Sequence, residues 1–174
     1  MRSVQAGLGL VRGTVRLVPH DPHWITAFAH EAVILREALG SAVGAIEHIG
    51  STSIAGMDAK PILDIMVAVP SLRVPTMFYE RLCALGYEHR PADDLPDRLF
   101  FAKGPHDGRT HHLSACTADS AFWRLHLRFR DALRTDAALA AQYRQLKCEL
   151  AARHATDRRA YTDGKAGFVA RVVA

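Results

Sequence analysis

The sequence predicts an α+β domain in which a mixed β-sheet is flanked by helices and followed by a helical C-terminal portion. The chain has 174 residues, of which 49% are hydrophobic and 23% are charged, so one domain can bury a sizeable core. Strand-like and helix-like patterns alternate up to residue 116, and only helix-like patterns follow. We expect a single domain over residues 14–174 after a flexible tail at residues 1–13, where the apolar stretch is short and interrupted by glycines.

The first elements are predicted from caps and from hydrophobic runs. Residues 14–18 have the pattern of a short strand. A helix is predicted to begin at Asp21, which is a suitable N-cap, and to end at Gly40. Residues 42–49 predict the next strand. Residues 61–69 form a nearly continuous apolar run, which is typical of a strand covered on both faces.

The second half of the chain predicts one more helix, a hairpin and then helices. Residues 71–86 have a helical pattern, and an irregular segment follows them. Residues 98–104 and 108–116 read as two strands of a hairpin, because the turn residues GPHDG separate them. Three helices complete the chain, and each is predicted to begin near an aspartate: Asp119, Asp136 and Asp157.

Charge and cysteine usage limit the classes of partner. Residues 120–174 carry eleven Lys or Arg against five Asp or Glu, which suits an anionic partner such as a nucleotide, a coenzyme or RNA. The alternative is a solvated helical surface. No apolar run reaches the roughly 18 residues of a membrane span, so no membrane partner is expected. Three scattered cysteines favour a reduced, cytoplasmic setting.

The segment HIGSTSIAGMDAKPILDIMVAV, residues 48–69, carries the strongest chemical pattern. Gly50 allows close backbone approach and Ser51 offers a hydroxyl group, and both features suit phosphate binding at a turn. Asp64 is the one charged residue of the following strand, on the opposite face to Ile65. Such a carboxylate is costly unless it is paired, hydrogen-bonded or bound to a metal. The alternatives are an ordinary turn and a structural Asp that bonds to the backbone.

This segment resembles the signature of the nucleotidyltransferase superfamily typified by DNA polymerase beta. In that superfamily the Gly-Ser loop holds the triphosphate, and the strand carboxylates hold two Mg²⁺ ions. The chain is more closely similar to the GrpB family, a bacterial group of that superfamily in which some members are fused to dephospho-CoA kinase. Its matching segments run in the family's order over residues 15–172: HIGSTSIAGMDAKPILDIMVAV, LGYEHR, RLFFAKG, RTHHL, FRDALR, YRQLK and YTDGKAGFV.

The resemblance implies a nucleotidyltransferase-like fold and a site with two departures from the expected pattern. Met66 occupies the position of the second carboxylate, so the usual two-carboxylate clamp is absent from this strand. Ser114 occupies the position of the second His in the His-Leu-His of GrpB-like sequences. The implied catalytic residues are Asp64 and His112. The same two side chains are the implied metal ligands for Mg²⁺ or Mn²⁺, with water and phosphate completing the coordination.

The ligand-binding candidates are drawn from the loop, the hairpin and the helices. They are Gly50, Ser51, Thr52, Lys60, Arg98, Lys103, Arg109, Arg130, Tyr161 and Lys165. Arg and Lys suit phosphate or carboxylate groups, although the hairpin cations would equally protect a sheet edge. The resemblance favours a site-facing Arg130, but a helix-to-sheet bridge would have the same sequence. Tyr161 and Lys165 share a helix face and suit either a nucleotide base or simple packing.

Three functional hypotheses follow from these residues. The first is an enzyme that transfers nucleotidyl or phosphoryl groups, with Gly50 and Ser51 as phosphate cradle and Asp64 as metal ligand or base. The second is a degenerate nucleotidyltransferase-like module that binds a nucleotide or related phosphorylated small molecule without turnover, and Met66 and Ser114 favour it. The third is an RNA- or protein-interaction domain with a basic surface. Its support is weakest, because aromatic residues are only 7% of the chain and most have core spacing.

Overall fold

A computed structural model describes residues 7–174 of the chain. One sheet contains five strands: β1 Ile46–Ile49, β2 Leu63–Ala68, β3 Tyr87–His89, β4 Leu99–Lys103 and β5 His111–Cys116. The α-helices are α1 His23–Leu39, α2 Thr76–Ala84, α3 Ala121–Thr135, α4 Ala137–Arg153, α5 Arg158–Asp163 and α6 Ala166–Val173. The predicted α+β class, with a mixed sheet and a helical C-terminal portion, is confirmed.

The strand order β1-β2-β5-β4-β3 places the two motif-bearing strands side by side at the centre of the sheet. β2 and β5 are parallel, whereas the other neighbouring pairs are antiparallel. In this register Asp64 lies opposite His112, and Met66 lies opposite Ser114. Because side chains alternate along a strand, all four belong to one face of the sheet.

The opposite face of the sheet holds the main hydrophobic core. Ile65 of β2 and Leu113 of β5 are buried there together with side chains of α1 and α2, among them Leu35 and Leu82. The alternation predicted for residues 61–69 is therefore confirmed. The face with Asp64 is covered only in part by the C-terminal helices, and this partial cover leaves a cleft.

Helix caps agree with the sequence for α4 and α5, with three corrections elsewhere. The first is that α1 begins at His23 after Pro22, one residue later than the predicted cap Asp21 implies. Asp136 and Asp157 accept hydrogen bonds from the first turns of α4 and α5, as predicted. The cap of α3 is Ser120, one residue after the predicted start. The single last helix predicted from Asp157 is wrong, because the chain breaks into α5 and α6 at Gly164. A Cβ atom at Gly164 would lie 2.5 Å from a methyl group of the Leu150 side chain.

The helix predicted over residues 71–86 is shorter, Thr76–Ala84, and three segments differ in kind from the predicted elements. Residues 14–18 form no strand and contribute one isolated bridge, between Val18 and Ala59. The next residue, Pro19, has no N–H group to extend such pairing. Part of the segment predicted as irregular forms β3. Of the predicted tail, residues 1–6 lie outside the described residues, whereas Leu10 is buried and exchanges backbone hydrogen bonds with Arg109. The tail expectation is thus corrected for residues near Leu10.

None of the described helices combines the length and the hydropathy that crossing a membrane requires.

A buried polar cluster lies beneath the sheet, on the face away from the cleft. Glu31 of α1 is 5% exposed. Its Oε1 accepts hydrogen bonds from the Tyr87 hydroxyl at 2.9 Å and from Lys103 Nζ at 2.6 Å. Lys103 was a predicted ligand-binding residue, and this placement corrects that expectation. Lys103 lies two residues after the core residue Phe101 on β4, so both side chains are on the same face of the sheet. The ammonium group of Lys103 therefore points away from Asp64.

We expect Glu31→Ala to lower the free energy of unfolding by about 3 kcal/mol, because removing one partner of a buried ion pair leaves the other uncompensated. Urea unfolding of the purified variant measures this loss. Glu37→Ala is the matched control, since Glu37 is exposed on the same helix and surface changes cost no more than about 0.5 kcal/mol. Equal losses in the two variants would show that the Glu31 cluster contributes nothing specific.

Candidate functional site

The loop after β1 brings its backbone directly against Asp64. Gly50 has φ 70° and ψ −175°, a conformation that is essentially restricted to glycine. A short 3₁₀ turn, Ser51–Ser53, follows it. A Cβ atom at Gly50 would lie 2.5 Å from Asp64 Oδ2. Only glycine at this position therefore lets the loop pass the carboxylate.

Asp64 and His112 form a hydrogen-bonded pair across the two parallel strands. His112 Nδ1 lies 3.0 Å from Asp64 Oδ1. Burial alone would raise the pKa of Asp64, but the hydrogen bond from His112 and the positive charges of Lys60 and Arg158 lower it to about 2. Asp64 is therefore an ionised acceptor, and His112 Nδ1 carries the donated proton. Nε2 of His112 lies 3.4 Å from Arg158 Nη2 and accepts from it.

Three cations surround this pair without ion-pair partners of their own. Among the described residues, no carboxylate lies within 4.0 Å of the charged nitrogens of Lys60, Arg158 or Lys165. The ammonium groups of Lys60 and Lys165 lie 5.5 Å and 4.5 Å from the ring centre of Tyr161. Burial, together with the charges of Arg158 and Lys165, lowers the pKa of Lys60 to about 7. The cluster thus holds more positive charge than Asp64 balances.

A fourth cation supports the loop from below. Lys147 of α4 is 1% exposed. Its Nζ donates a hydrogen bond to Ser51 Oγ at 2.9 Å and another to the Asp58 carbonyl oxygen. Burial and the nearby Lys165 charge lower the pKa of Lys147 to about 7. The Ser51 oxygen accepts from Lys147, and its hydroxyl group also interacts with the phenol group of Tyr143, so Ser51 is held from two sides.

These side chains line one cleft of about 980 Å³ between the sheet and the C-terminal helices. It contains the predicted residues Gly50, Ser51, Thr52, Lys60, Asp64, Arg98, Arg109, His112, Arg130, Tyr161 and Lys165. A volume of this size is within the range of small-molecule and cofactor sites. The topology therefore brings most of the sequence candidates together.

Two of the predicted arginines line the cleft but have carboxylate partners. Arg130 bonds to Glu47 at 2.6 Å, which is the helix-to-sheet bridge that the sequence left open as an alternative. Arg109 bonds to Glu88 at 2.5 Å and is 8% exposed. Both shape the wall of the cleft, and neither has its full charge available for a ligand.

Thr52 borders the cleft, but its hydroxyl group bonds to a core residue, so its role in ligand binding stays a prediction. The residue is 1% exposed, and its Oγ1 lies 2.9 Å from Nε2 of buried His48. His48 stacks on Phe28 with ring centres 4.6 Å apart, and burial lowers its pKa to about 4. Thr52 and His48 thus hold the loop on the core side of the sheet.

Sequence reasoning missed Lys147 and Arg158. Lys147 follows Tyr143 by four residues, so it lies on the face of α4 that packs inward. A lysine on an apolar helix face is the available signal, but such a side chain usually reaches solvent. Arg158 lies three residues before Tyr161, on the helix face that carries the predicted aromatic residue.

The donor set does not fit a metal shared by Asp64 and His112. Nδ1 of His112 carries the proton that bonds to Asp64, and Nε2 faces the Arg158 cation. Met66 and Ser114 supply no further carboxylate or imidazole at this face. Within residues 7–174, no group of three or more His, Cys, Asp or Glu is arranged to hold a metal ion. Asp64 Oδ2 is the single carboxylate oxygen here without a hydrogen-bond partner among these residues. The expectation of Mg²⁺ or Mn²⁺ therefore stays a prediction that depends on oxygens from a ligand and water.

Comparison with known proteins matches this chain to one family. The family model described as "GrpB protein" matches residues 14–174. The crystal structure of conserved protein GrpB from Enterococcus faecalis matches with a TM-score of 0.82 and 33% identity, covering 91% of this chain and 94% of that chain. Glutamate-rich protein GrpB of Alkalihalophilus pseudofirmus is 35% identical over 95% of this chain and 98% of its own length. UPF0157 protein PA4798 of Pseudomonas aeruginosa is 40% identical over 91% of this chain, which spans 66% of that protein.

Proposed function

The chain belongs to the GrpB family, and from that premise we propose that its cleft binds a nucleotide or a related phosphorylated small molecule. The observation that carries the proposal is the cluster of Lys60, Arg158 and Lys165, which face one cleft without ion-pair partners among the described residues. Partly buried cations are costly unless an anion compensates them. A phosphate group supplies that compensation.

The charge balance favours a phosphate over a single carboxylate. Arg158, Lys165 and a Lys60 that is about half protonated at neutral pH surround the one ionised carboxylate of Asp64, so the free cleft has an excess of between one and two positive charges. A phosphate monoester carries a charge near −2 at neutral pH. The donors converge on a concave site, which suits a small ligand better than the open basic surface of the RNA hypothesis.

We expect the double variant Lys60→Met/Lys165→Met to bind ATP, coenzyme A or pyrophosphate at least tenfold more weakly than the wild type. Each charge-assisted contact to phosphate contributes about 1.5–3 kcal/mol, and methionine keeps most of the side-chain volume. Isothermal titration calorimetry with these three ligands measures the effect. If the protein's own donors are sufficient, affinities in EDTA and in Mg²⁺ should agree within about threefold, whereas a larger gain in Mg²⁺ would support the predicted metal ion at Asp64.

Arg73→Met is the matched control, because it removes one positive charge from an exposed residue outside the cleft. Its affinity is expected to equal that of the wild type. Two results would contradict the proposal. One is no binding or thermal stabilisation of the wild type by any of the three ligands, and the other is unchanged affinity in the double variant.

The Asp64–His112 pair favours a second candidate function, which is transfer of a nucleotidyl or phosphoryl group. In such a reaction Arg158 would turn from His112 Nε2 to the phosphate. Nε2 would then accept the proton of an attacking hydroxyl group while Asp64 holds the Nδ1–H tautomer, and pyrophosphate or a nucleoside diphosphate would leave. The cations would stabilise charge on the transferred group. Hydrolysis or transfer of a nucleoside triphosphate that His112→Ala abolishes, with binding retained, would support this candidate. Equal turnover in His112→Ala and wild type would exclude this role of the histidine.

A further inference from the structure

One wall of the cleft is apolar and aromatic, and the charge cluster does not explain it. Phe100 of β4 and Phe122 of α3 line this wall, with the Arg98 guanidinium group 4.7 Å and 5.2 Å from their ring centres. His126 stacks on Phe122 at 3.9 Å. Leu125 lines the same wall and is 37% exposed.

This aromatic wall adjoins the cation cluster directly. The Phe100 ring lies 5.2 Å from the ring of His112, whose Nε2 meets Arg158. The cleft thus has a positively charged part and an aromatic, apolar part within one volume. Phosphate recognition uses only the first part. A ligand that fills both has an anionic end and a flat, largely apolar end.

His126 adds a specific polar group to the wall. Its Nδ1 lies 2.8 Å from the Phe122 carbonyl oxygen, which can only accept, so Nδ1 carries a proton. Burial lowers the pKa of His126, which favours the neutral imidazole. Nε2 is then an acceptor, and none of the described residues donates to it. The group that suits Nε2 is an N–H donor of a ligand.

We infer that the wall formed by Arg98, Phe100, Phe122, Leu125 and His126 binds a nucleobase, with His126 Nε2 accepting from an exocyclic amino group. This inference rests on the proposed phosphate site and names the ligand class as nucleotides with an amino-bearing base. Contact of a base with aromatic side chains contributes about 1–3 kcal/mol. The wild type is therefore expected to bind CTP about tenfold more tightly than inorganic tripolyphosphate.

The test measures the affinities of CTP, UTP and tripolyphosphate by calorimetry for the wild type, Phe122→Ala and Leu125→Ala. Both variants are expected to weaken CTP binding, Phe122→Ala by about tenfold, and to leave tripolyphosphate binding unchanged. Leu125→Ala keeps the test valid if Phe122→Ala does not fold, because Leu125 is partly exposed. Val33→Ala is the control for an exposed aliphatic residue outside the cleft.

CTP and UTP differ at two ring positions: position 4 is an amine in CTP and a carbonyl in UTP, and N3 is unprotonated in CTP but carries a hydrogen in UTP. A preference for CTP therefore reports the exocyclic amine, whereas a preference for UTP would assign the donor to N3. The wild type is expected to prefer CTP severalfold, and His126→Phe is expected to remove that preference while it retains a ring. If CTP and tripolyphosphate bind the wild type equally well, or if the wall variants weaken both equally, the base site is overturned and the phosphate site stands. If neither ligand binds, the proposed function fails and the base site fails with it.

Discussion

Gly50→Ala is expected to destabilise the protein by about 2–6 kcal/mol and to abolish measurable ligand binding in the cleft. The backbone conformation at Gly50, with φ 70° and ψ −175°, costs a non-glycine residue about 1–3 kcal/mol. The added Cβ would lie 2.5 Å from Asp64 Oδ2 and 3.0 Å from Asp64 Cβ, and relieving such an overlap costs about 1–3 kcal/mol more. Urea unfolding measures the stability, and calorimetry with ATP measures the binding.

A control separates backbone strain from the contact with Asp64. Gly56 also has a positive φ, 72°, but a Cβ there would meet nothing within 4 Å. Gly56→Ala is therefore expected to cost about 1–2 kcal/mol, which is the backbone contribution alone. In the Asp64→Ala background, which lacks the overlapping carboxylate, Gly50→Ala should cost at least about 1 kcal/mol less. Equal costs for the two glycine substitutions, with no coupling to Asp64, would contradict the close approach.

Much of the fold could be predicted because it depends on local physical chemistry. Helix starts follow from Asp136 and Asp157, whose side chains accept bonds from the first turn. The two faces of β2 follow from the alternation of side chains, which places Asp64 and the core residue Ile65 on different faces of the sheet. The close contact of the loop with Asp64 also has a local cause, because β1 pairs antiparallel with β2 and places Ile49 beside Asp64.

The errors arose where a side chain's environment depends on distant elements. Lys103 was assigned to the site for its charge, but its partner Glu31 lies 72 residues earlier in the chain. Lys147 was missed because its acceptors, Ser51 and Asp58, belong to a loop almost a hundred residues away. Helical periodicity predicts which face of a helix is buried, but it does not predict which residues that face contacts. A buried lysine is thus visible only once α4 is docked on the loop.

We expect the free energy of unfolding of the wild type to rise between pH 7 and pH 9. In Lys147→Met this rise is expected to be smaller by about 2 kcal/mol. The folded pKa of Lys147 is about 7, against 10.5 for an ordinary lysine. Between these values the unfolded chain binds more protons than the folded one, so the free energy of unfolding rises with pH. Two pH units correspond to about 2 kcal/mol for one such group. Urea unfolding at pH 7, 8 and 9 measures the slope.

The measurement ends at pH 9 because, at higher pH, other buried groups make the free energy of unfolding fall as the pH rises. Burial raises the pKa of Cys116 to about 11 and raises the pKa of Tyr143 and Tyr161 as well, so the folded state then binds more protons. Lys60 contributes to the same rise as Lys147, and part of the slope therefore remains in Lys147→Met.

The informative quantity is the slope, because methionine also removes the donor from Ser51 Oγ and lowers stability at every pH. Arg153→Met is the control on the same helix, since Arg153 is exposed and stays charged throughout this range. Its slope is expected to match that of the wild type. If Lys147→Met also keeps the full wild-type slope, Lys147 remains protonated in the folded protein up to pH 9. It would then be a permanent fourth cation beneath the loop, and the cleft would require a more highly charged anion than a single phosphate monoester.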